Sequence, residues 1–228
     1  MMKEKKRMAH KRVVFALLVM VAGIVLPVAS ARADDGKAEL AVSCGVKAEA
    51  NMSGLIRTGS EKVETGMRPG LSLGGFLNLQ VSSHFSVQAD FLLHYKNSIV
   101  EQNATLGHNV YFGGEIPLYF LYHFQSAPFK GQWSVGGGPF TEFGFKSTIA
   151  YNGKTLDMYS IDEASGYPIF RDSNSGFALF VGYEFPCGLQ LNAGYKVSVS
   201  SLLDADRRVV ALRPHTVSVG VAYRFRGK

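Results

Sequence analysis

Between residues 40 and 225, apolar and polar side chains alternate with a period of two through eight separate segments. Such a period puts successive side chains on opposite faces of a strand, so each segment predicts one oily face and one polar or small face. In the first, Leu40, Val42, Cys44, Val46, Ala48, Ala50 and Met52 share the oily face, and Lys47, Glu49 and Asn51 lie opposite. The second sets Leu71, Leu73, Leu77, Leu79 and Val81 against Ser72, Asn78 and Gln80, and the third sets Phe85, Val87, Ala89, Phe91, Leu93 and Tyr95 against Ser86, Gln88, Asp90, His94 and Lys96. In the fourth, Val110, Phe112, Ile116, Leu118, Phe120, Tyr122 and Phe124 oppose Glu115, Tyr119 and His123. The fifth places Trp133, Val135, Phe143 and Phe145 opposite Ser134, Glu142 and Lys146. Phe177 to Phe185 and Leu189 to Val199 continue the pattern, and the last segment, residues 216–225, has Val217, Val219, Val221, Tyr223 and Phe225 on one face. No segment after residue 33 shows a helical repeat.

The connections alternate long and short: residues 53–70, 82–84, 97–108, 125–131, 147–175, 186–188 and 202–212. An up-and-down barrel with both termini on the periplasmic side predicts this order, because its odd-numbered connections become the longer external loops. The expected fold is therefore all-β, an eight-stranded antiparallel up-and-down transmembrane β-barrel. Inside a bilayer every backbone N–H and C=O must pair within the protein, and strands achieve this only as a closed sheet. Eight strands leave a lumen just wide enough for side chains to fill. The expected lumenal set balances five basic groups, Lys47, Lys96, Lys146, Lys196 and Arg224, against five acidic ones, Glu49, Asp90, Glu115, Glu142 and Glu184. Slipping the register by one residue would turn all of them toward lipid, at about 2–4 kcal/mol for each basic group near the midplane. Aromatic residues cluster beside the short turns and the C-terminus: Phe85, Tyr122, Phe124, Trp133, Tyr183, Phe185, Tyr223 and Phe225. They predict a girdle at one membrane interface, with Tyr95 and Phe112 as candidates for the other.

The first 33 residues read as a secretory signal peptide, leaving residues 34–228 as one barrel domain. A basic start carries Lys3, Lys5, Lys6, Arg7, Lys11 and Arg12, an uncharged apolar run covers residues 13–26, and Ala29, Ala31 and Ala33 supply small residues for cleavage. The apolar run is shorter than the roughly 20 residues a spanning helix needs. Cleavage removes seven of the 24 basic residues and one of the 18 acidic ones, leaving 17 of each. The basic balance of the whole chain thus belongs to the targeting segment and points to no nucleic-acid partner. Cys44 and Cys187 are too few for a disulfide framework or a metal site, and their strands are expected far apart around the sheet.

The final segment, with polar Ser218, then Gly220, Tyr223 and Phe225, resembles the C-terminal insertion signal of bacterial outer-membrane barrels. Gly45-Val46-Lys47-Ala48-Glu49-Ala50-Asn51, Glu115-Ile116-Pro117-Leu118, Gly138-Pro139-Phe140, Gly182-Tyr183-Glu184-Phe185 and Tyr223-Arg224-Phe225 extend that likeness. With them the chain resembles small outer-membrane barrels of the OmpX/OmpA-like kind, in particular the PorT-like outer membrane protein beta-barrel domain family, over residues 38–226. Glu49 stands where a glycine is usual, and three residues follow Phe225 where such barrels often end. The resemblance implies location in the bacterial outer membrane, partners in outer-membrane lipid and in the barrel-assembly machinery through the C-terminal strand, and no catalytic motif, cofactor or metal. It also implies a structural, envelope-assembly or surface-interaction role, with an accessory part in protein secretion as one form.

Other functional classes rest on thinner signals. A lipid-modifying enzyme would need a nucleophile and a base, and His84 with Ser86 falls on one strand face without an assigned acid. His94 and His123 are expected in the lumenal polar network. Gly136-Gly137-Gly138 lacks the following Lys-Ser/Thr of a phosphate loop and fits strand bending or close backbone approach. A secreted soluble ligand-binding barrel would carry its oily face inside and its polar face outside.

Overall fold

A computed structural model describes residues 41–58, 63–102, 105–125, 130–151, 154–160, 169–203 and 211–225. The expected signal peptide and its cleavage site lie outside these. Nine strands occur in order: β1 (Ala41–Thr58), β2 (Val63–Gln80), β3 (Phe85–Gln102), β4 (Thr105–Phe124), β5 (Gln132–Tyr151), β6 (Lys154–Asp157), β7 (Ser173–Glu184), β8 (Leu189–Ser198) and β9 (Ala211–Phe225). Every neighbouring pair is antiparallel, and β1 pairs with both β2 and β9. The β4–β5 pairing closes the sheet, leaving eight strands in the barrel wall and β6 as a short hairpin partner of β5.

Register partners trace the closure. From Met52 the path runs through Val217, Tyr195, Leu179, Gly137, Phe120, Val87 and Leu79 to Val42. The circuit returns to β1 ten residues from its start, from Met52 to Val42. A stagger of this kind is what tilts barrel strands against the axis. Each side chain on the path is apolar or absent, and those of Met52, Val217, Tyr195, Leu179, Phe120 and Val42 are exposed. The outer wall is therefore oily and the interior polar, the reverse of a soluble ligand-binding barrel.

Strand lengths depart from the sequence expectation in one region. β1, β2 and β3 each run 18 residues, and β4 and β5 run 20, whereas a membrane-crossing strand needs about 9–11. Most of the expected loops at residues 53–70 and 97–108 is paired strand, continuing beyond the apolar belt. Backbone ladder bonds extend there without an oily face to announce them. By contrast β7 has 12 residues and β8 has 10, so the wall is tall on one side and low on the other. The short turns at residues 82–84 and 186–188 behave as expected, and Gly188 closes the β7–β8 turn with φ of 90°, a conformation only glycine adopts without strain; residues 126–129 of the expected turn 125–131 lie outside the described residues.

Candidate functional site

The polar face of each strand meets the others in the lumen, where nine of the ten expected charged residues lie. Lys47 Nζ is 2.7 Å from Glu49 Oε1 and donates to Asp90 Oδ2 at 2.8 Å. Lys96 Nζ donates to Glu142 Oε1 at 2.6 Å and lies 3.4 Å from Glu115 Oε2. Lys196 donates to Glu115 Oε1 and sits 3.9 Å from Glu49 Oε2, which joins the two groups into one network. Near the short-turn end, Arg224 Nε lies 3.0 Å from Glu184 Oε2, while Arg224 also donates to Ser43 and Gln190 to Glu184. Taking charges this deep out of water costs several kcal/mol each, a cost offset only where partners and hydrogen bonds are complete. Pairing among residues of seven strands supplies those partners.

Lys146 is the exception. It is exposed, on the outer wall, as the register partner of Phe112, whereas the next pair is Gly113 with Gly144. Phe145 is the extra residue of a β-bulge, and the bulge reverses the alternation beyond it. Ser147 then points inward, about 1% exposed, where its hydroxyl donates to Asn109. Of the ten expected lumenal charges, four basic and five acidic residues therefore lie inside, not five of each.

Alongside the ions lies an apolar layer that the charge pattern did not disclose. Tyr119, Leu121, Phe140, Ala178 and Phe180 pack together inside the barrel. The rings of Phe180 and Tyr119 lie 5.1 Å and 5.8 Å from Lys47 Nζ. The glycine run explains where the layer fits. A Cβ at Gly136 or Gly138 would collide with the backbone carbonyl of Phe120 or Leu118 on β4, so only glycine permits this approach of β4 and β5.

Toward the long-loop end, the lumen narrows to a chamber of about 50 Å³. Lys96, Glu142 and Asn174 form its polar floor, and Leu55, Phe170 and Leu202 its apolar roof. That volume admits a few water molecules. The roof belongs to a second buried cluster of Leu55, Met158, Phe170, Leu203 and Leu212. Backbone bonds hold it: Phe170 N–H donates to Met158 at 2.9 Å, Arg171 N–H to Leu202 at 2.9 Å, and Leu202 N–H to Leu212 at 2.8 Å. Burial, with the nearby Glu142 carboxylate, raises the pKa of the Tyr159 phenol packed against this cluster.

Hydroxyl–imidazole contacts surround two of the lumenal histidines, His94 and His123. Ser72 Oγ is 2.6 Å from His94 Nδ1, and His94 Nε2 is 3.1 Å from Glu115 Oε2. A nucleophile, base and acid stand in that order, yet each residue is about 1% exposed, and Asn51 donates to Ser72 from above. No reacting carbonyl has an approach to Ser72. Ser86 faces His123 Nε2 at 2.6 Å, with His123 Nδ1 at 2.8 Å from Ser134. His84 instead lies exposed in the turn beside Ser83, so the strand-face pairing of His84 with Ser86 does not form. Among the described residues no group of His, Cys, Asp or Glu is placed to hold a metal ion.

At the short-turn rim, ring contacts link several of the aromatics expected there. Phe85 packs on Tyr122 with ring centroids 5.2 Å apart, and Tyr122 lies near Phe124 at 6.2 Å. Phe124 pairs with Trp133 in register. Trp133 meets Tyr183 at 5.0 Å, and Tyr183 meets Phe185 at 4.8 Å. On β9, Tyr223 and Phe225 are 5.9 Å apart. Ten residues along the same strands, Phe85 is followed by Tyr95, Trp133 by Phe143, and Tyr122 is preceded by Phe112. That separation matches the length a strand needs to cross a bilayer, and Tyr95 and Phe112, the candidates for the opposite interface, are register partners.

Cys44 and Cys187 are both free and exposed. Closure brings them to one rim rather than far apart. Cys44 is the partner of Phe225, and Gly188, next to Cys187, accepts a bond from the Arg224 N–H at 2.9 Å. Their backbones stand about two strand spacings apart, roughly 10 Å, beyond the ~7 Å Cα separation a disulfide spans.

The profile of the family described as "Outer membrane protein beta-barrel domain" matches residues 30–204. Among curated proteins, none matches. Of solved structures, the chain is similar to Neisserial surface protein A, with 14% identity and a TM-score of 0.44 over 81% of this chain and 99% of that one. It is similar also to the attachment invasion locus protein Ail of Yersinia pestis, at 15% identity and a TM-score of 0.41 over 80% and 98%. OprG from Pseudomonas aeruginosa gives 11% identity and a TM-score of 0.49 over 82% and 96%.

Proposed function

The chain belongs to the outer membrane protein beta-barrel domain family, and within the bacterial outer membrane we propose that it is a non-conducting barrel acting through its external strands and loops. The observation that carries this reading is the filled lumen. The Lys47–Glu49–Lys196–Glu115–Lys96–Glu142 network lies across the interior, and the cluster of Leu55, Met158, Phe170, Leu203 and Leu212 covers it at the external end. With transport unsupported, the part of the molecule left to act is the wall that rises past the apolar belt. Its β5–β6 pair exposes Leu156, the partner of Ile149. A structural, envelope-assembly or surface-interaction role uses that wall as a contact surface.

Site-specific photocrosslinking on intact cells tests this. A crosslinker at Leu156 on β6 should give a discrete protein adduct, whereas one at Leu191 on the lipid-facing wall should give lipid adducts alone. Lipid adducts or none at both positions would remove the surface-contact reading. A change in lipid A acylation that depends on the protein would favour an enzyme instead.

A further inference from the structure

The outward face of β9 changes character at its external end. Val217, Val219, Val221, Tyr223 and Phe225 are all exposed along the apolar wall, and His215 and then Arg213 continue the same face. Their buried neighbours fix this facing, since Leu212 belongs to the external cluster and the Thr216 hydroxyl meets Ser53 at 3.0 Å in the lumen. His215 lies ten residues from Phe225, the length of strand that crosses a bilayer. Arg213 stands about 7 Å farther along the strand. Its register partner is Ile56, itself exposed, which gives the arginine stem an apolar surface to lie on. The imidazole has a shaped seat. Its register partners are Gly54 on β1 and Val197 on β8. A Cβ at Gly54 would lie 2.9 Å from His215 Nε2 and 3.0 Å from Met67 Cγ, so the ring occupies space that the glycine leaves open. Tyr195 meets it from β8 at 64°, with ring centroids 6.3 Å apart. Packing alone holds the ring: among the described residues, neither His215 nor Arg213 makes a side-chain hydrogen bond or ion pair.

We propose that Arg213 and His215, at the external end of β9, form a binding site on the outer wall for a phosphate group of outer-leaflet glycolipid. Both ends of such a ligand find their complement. Acyl chains lie along Val217, Val219 and Val221, and the phosphate above them receives the planar Arg213 guanidinium, whose fork matches two of its oxygens. An imidazole N–H of His215 donates from the boundary between wall and water, where Tyr195 also places its half-polar ring. A soluble anion would use the cation and leave the apolar wall below it unused, so the lipid is the occupant that accounts for both. Gly54 has a role on this account, because a side chain there would displace the imidazole from beside Arg213.

The test uses the protein refolded into phosphatidylcholine vesicles. Bisphosphorylated lipid A in the vesicles should raise the unfolding temperature, and the dose giving half the full shift measures affinity. Replacing Arg213→Ala and His215→Ala together should raise that dose by about fivefold or more, given the worth of a basic residue near an anionic surface. Lys146→Ala removes an exposed cation from β5, three strands from β9 in the sheet, and should leave the dose unchanged. The same glycolipid without phosphates should give a smaller shift, and inorganic phosphate added to plain vesicles none. An equal shift with dephosphorylated lipid, an unchanged dose in the double variant, the same loss in Lys146→Ala, or a full shift with inorganic phosphate would each overturn the proposal. Should the double variant fail to fold, Arg213→Ala alone alters only an exposed side chain: its dose should also rise, and an unchanged dose would equally overturn the site.

Discussion

The ammonium of Lys47 on β1 reaches the carboxylate of Asp90 on β3, 2.8 Å away, by passing over β2. The residue it passes is Gly74, the register partner of Lys47 on one side and of Leu92 on the other. A Cβ at Gly74 would collide with the backbone of Phe91 and lie 2.9 Å from Leu92 Cα. The missing side chain lets β2 lie close against β3 beneath the ion pair.

Gly74→Ala is accordingly expected to destabilise the folded barrel by about 1–3 kcal/mol through overpacking against backbone that cannot yield. Denaturant unfolding in vesicles reads the change. Unaltered stability would mean that β2 has room against the Phe91 backbone.

Lys47→Ala and Lys146→Ala separate the two fates of lysines with the same expected role. Removing Lys47 leaves Asp90 and Glu49 buried without their nearest cation, at about 3–5 kcal/mol. Lys146 is exposed and outside the network, so its removal should stay within about 0.5 kcal/mol in plain phosphatidylcholine vesicles. Equal losses would return Lys146 to the lumen.

The contrast shows which features of the chain can be read without coordinates. Alternation discloses which face each strand turns to lipid, because a misplaced charge in a bilayer is costly and the sequence must respect it at every step. The same rule fails at Phe145–Lys146, since one inserted residue reverses the count and nothing in the local composition marks it. Beyond the apolar belt, water accepts either face, so residues 53–58 and 63–70 of β1 and β2 carry no oily stripe although their backbones pair. The placement of Cys44 near Cys187 follows from closure, which makes the first and last strands neighbours. Tyr119 stands on the lumenal face that the alternation assigns to it, whereas Phe180 was foreshadowed only by Gly182, where a side chain would meet its ring.

Phe225 pairs with Cys44 at the seam where β9 closes on β1. Deleting residues 225–228 removes that pair and half of the Tyr223–Phe225 ring contact. The truncated chain should accumulate less in the outer-membrane fraction and show a smaller share of heat-modifiable, folded protein. Normal assembly would reduce residues 216–225 to an ordinary last strand.

Current recorded across a planar bilayer tests the closed lumen most directly. The refolded protein should give no stepwise conductance, because Lys47, Lys96 and Lys196 are locked to four carboxylates beneath the Phe170 cluster. Stable open-channel steps from the unaltered chain, at modest voltage and in neutral salt, would contradict the account.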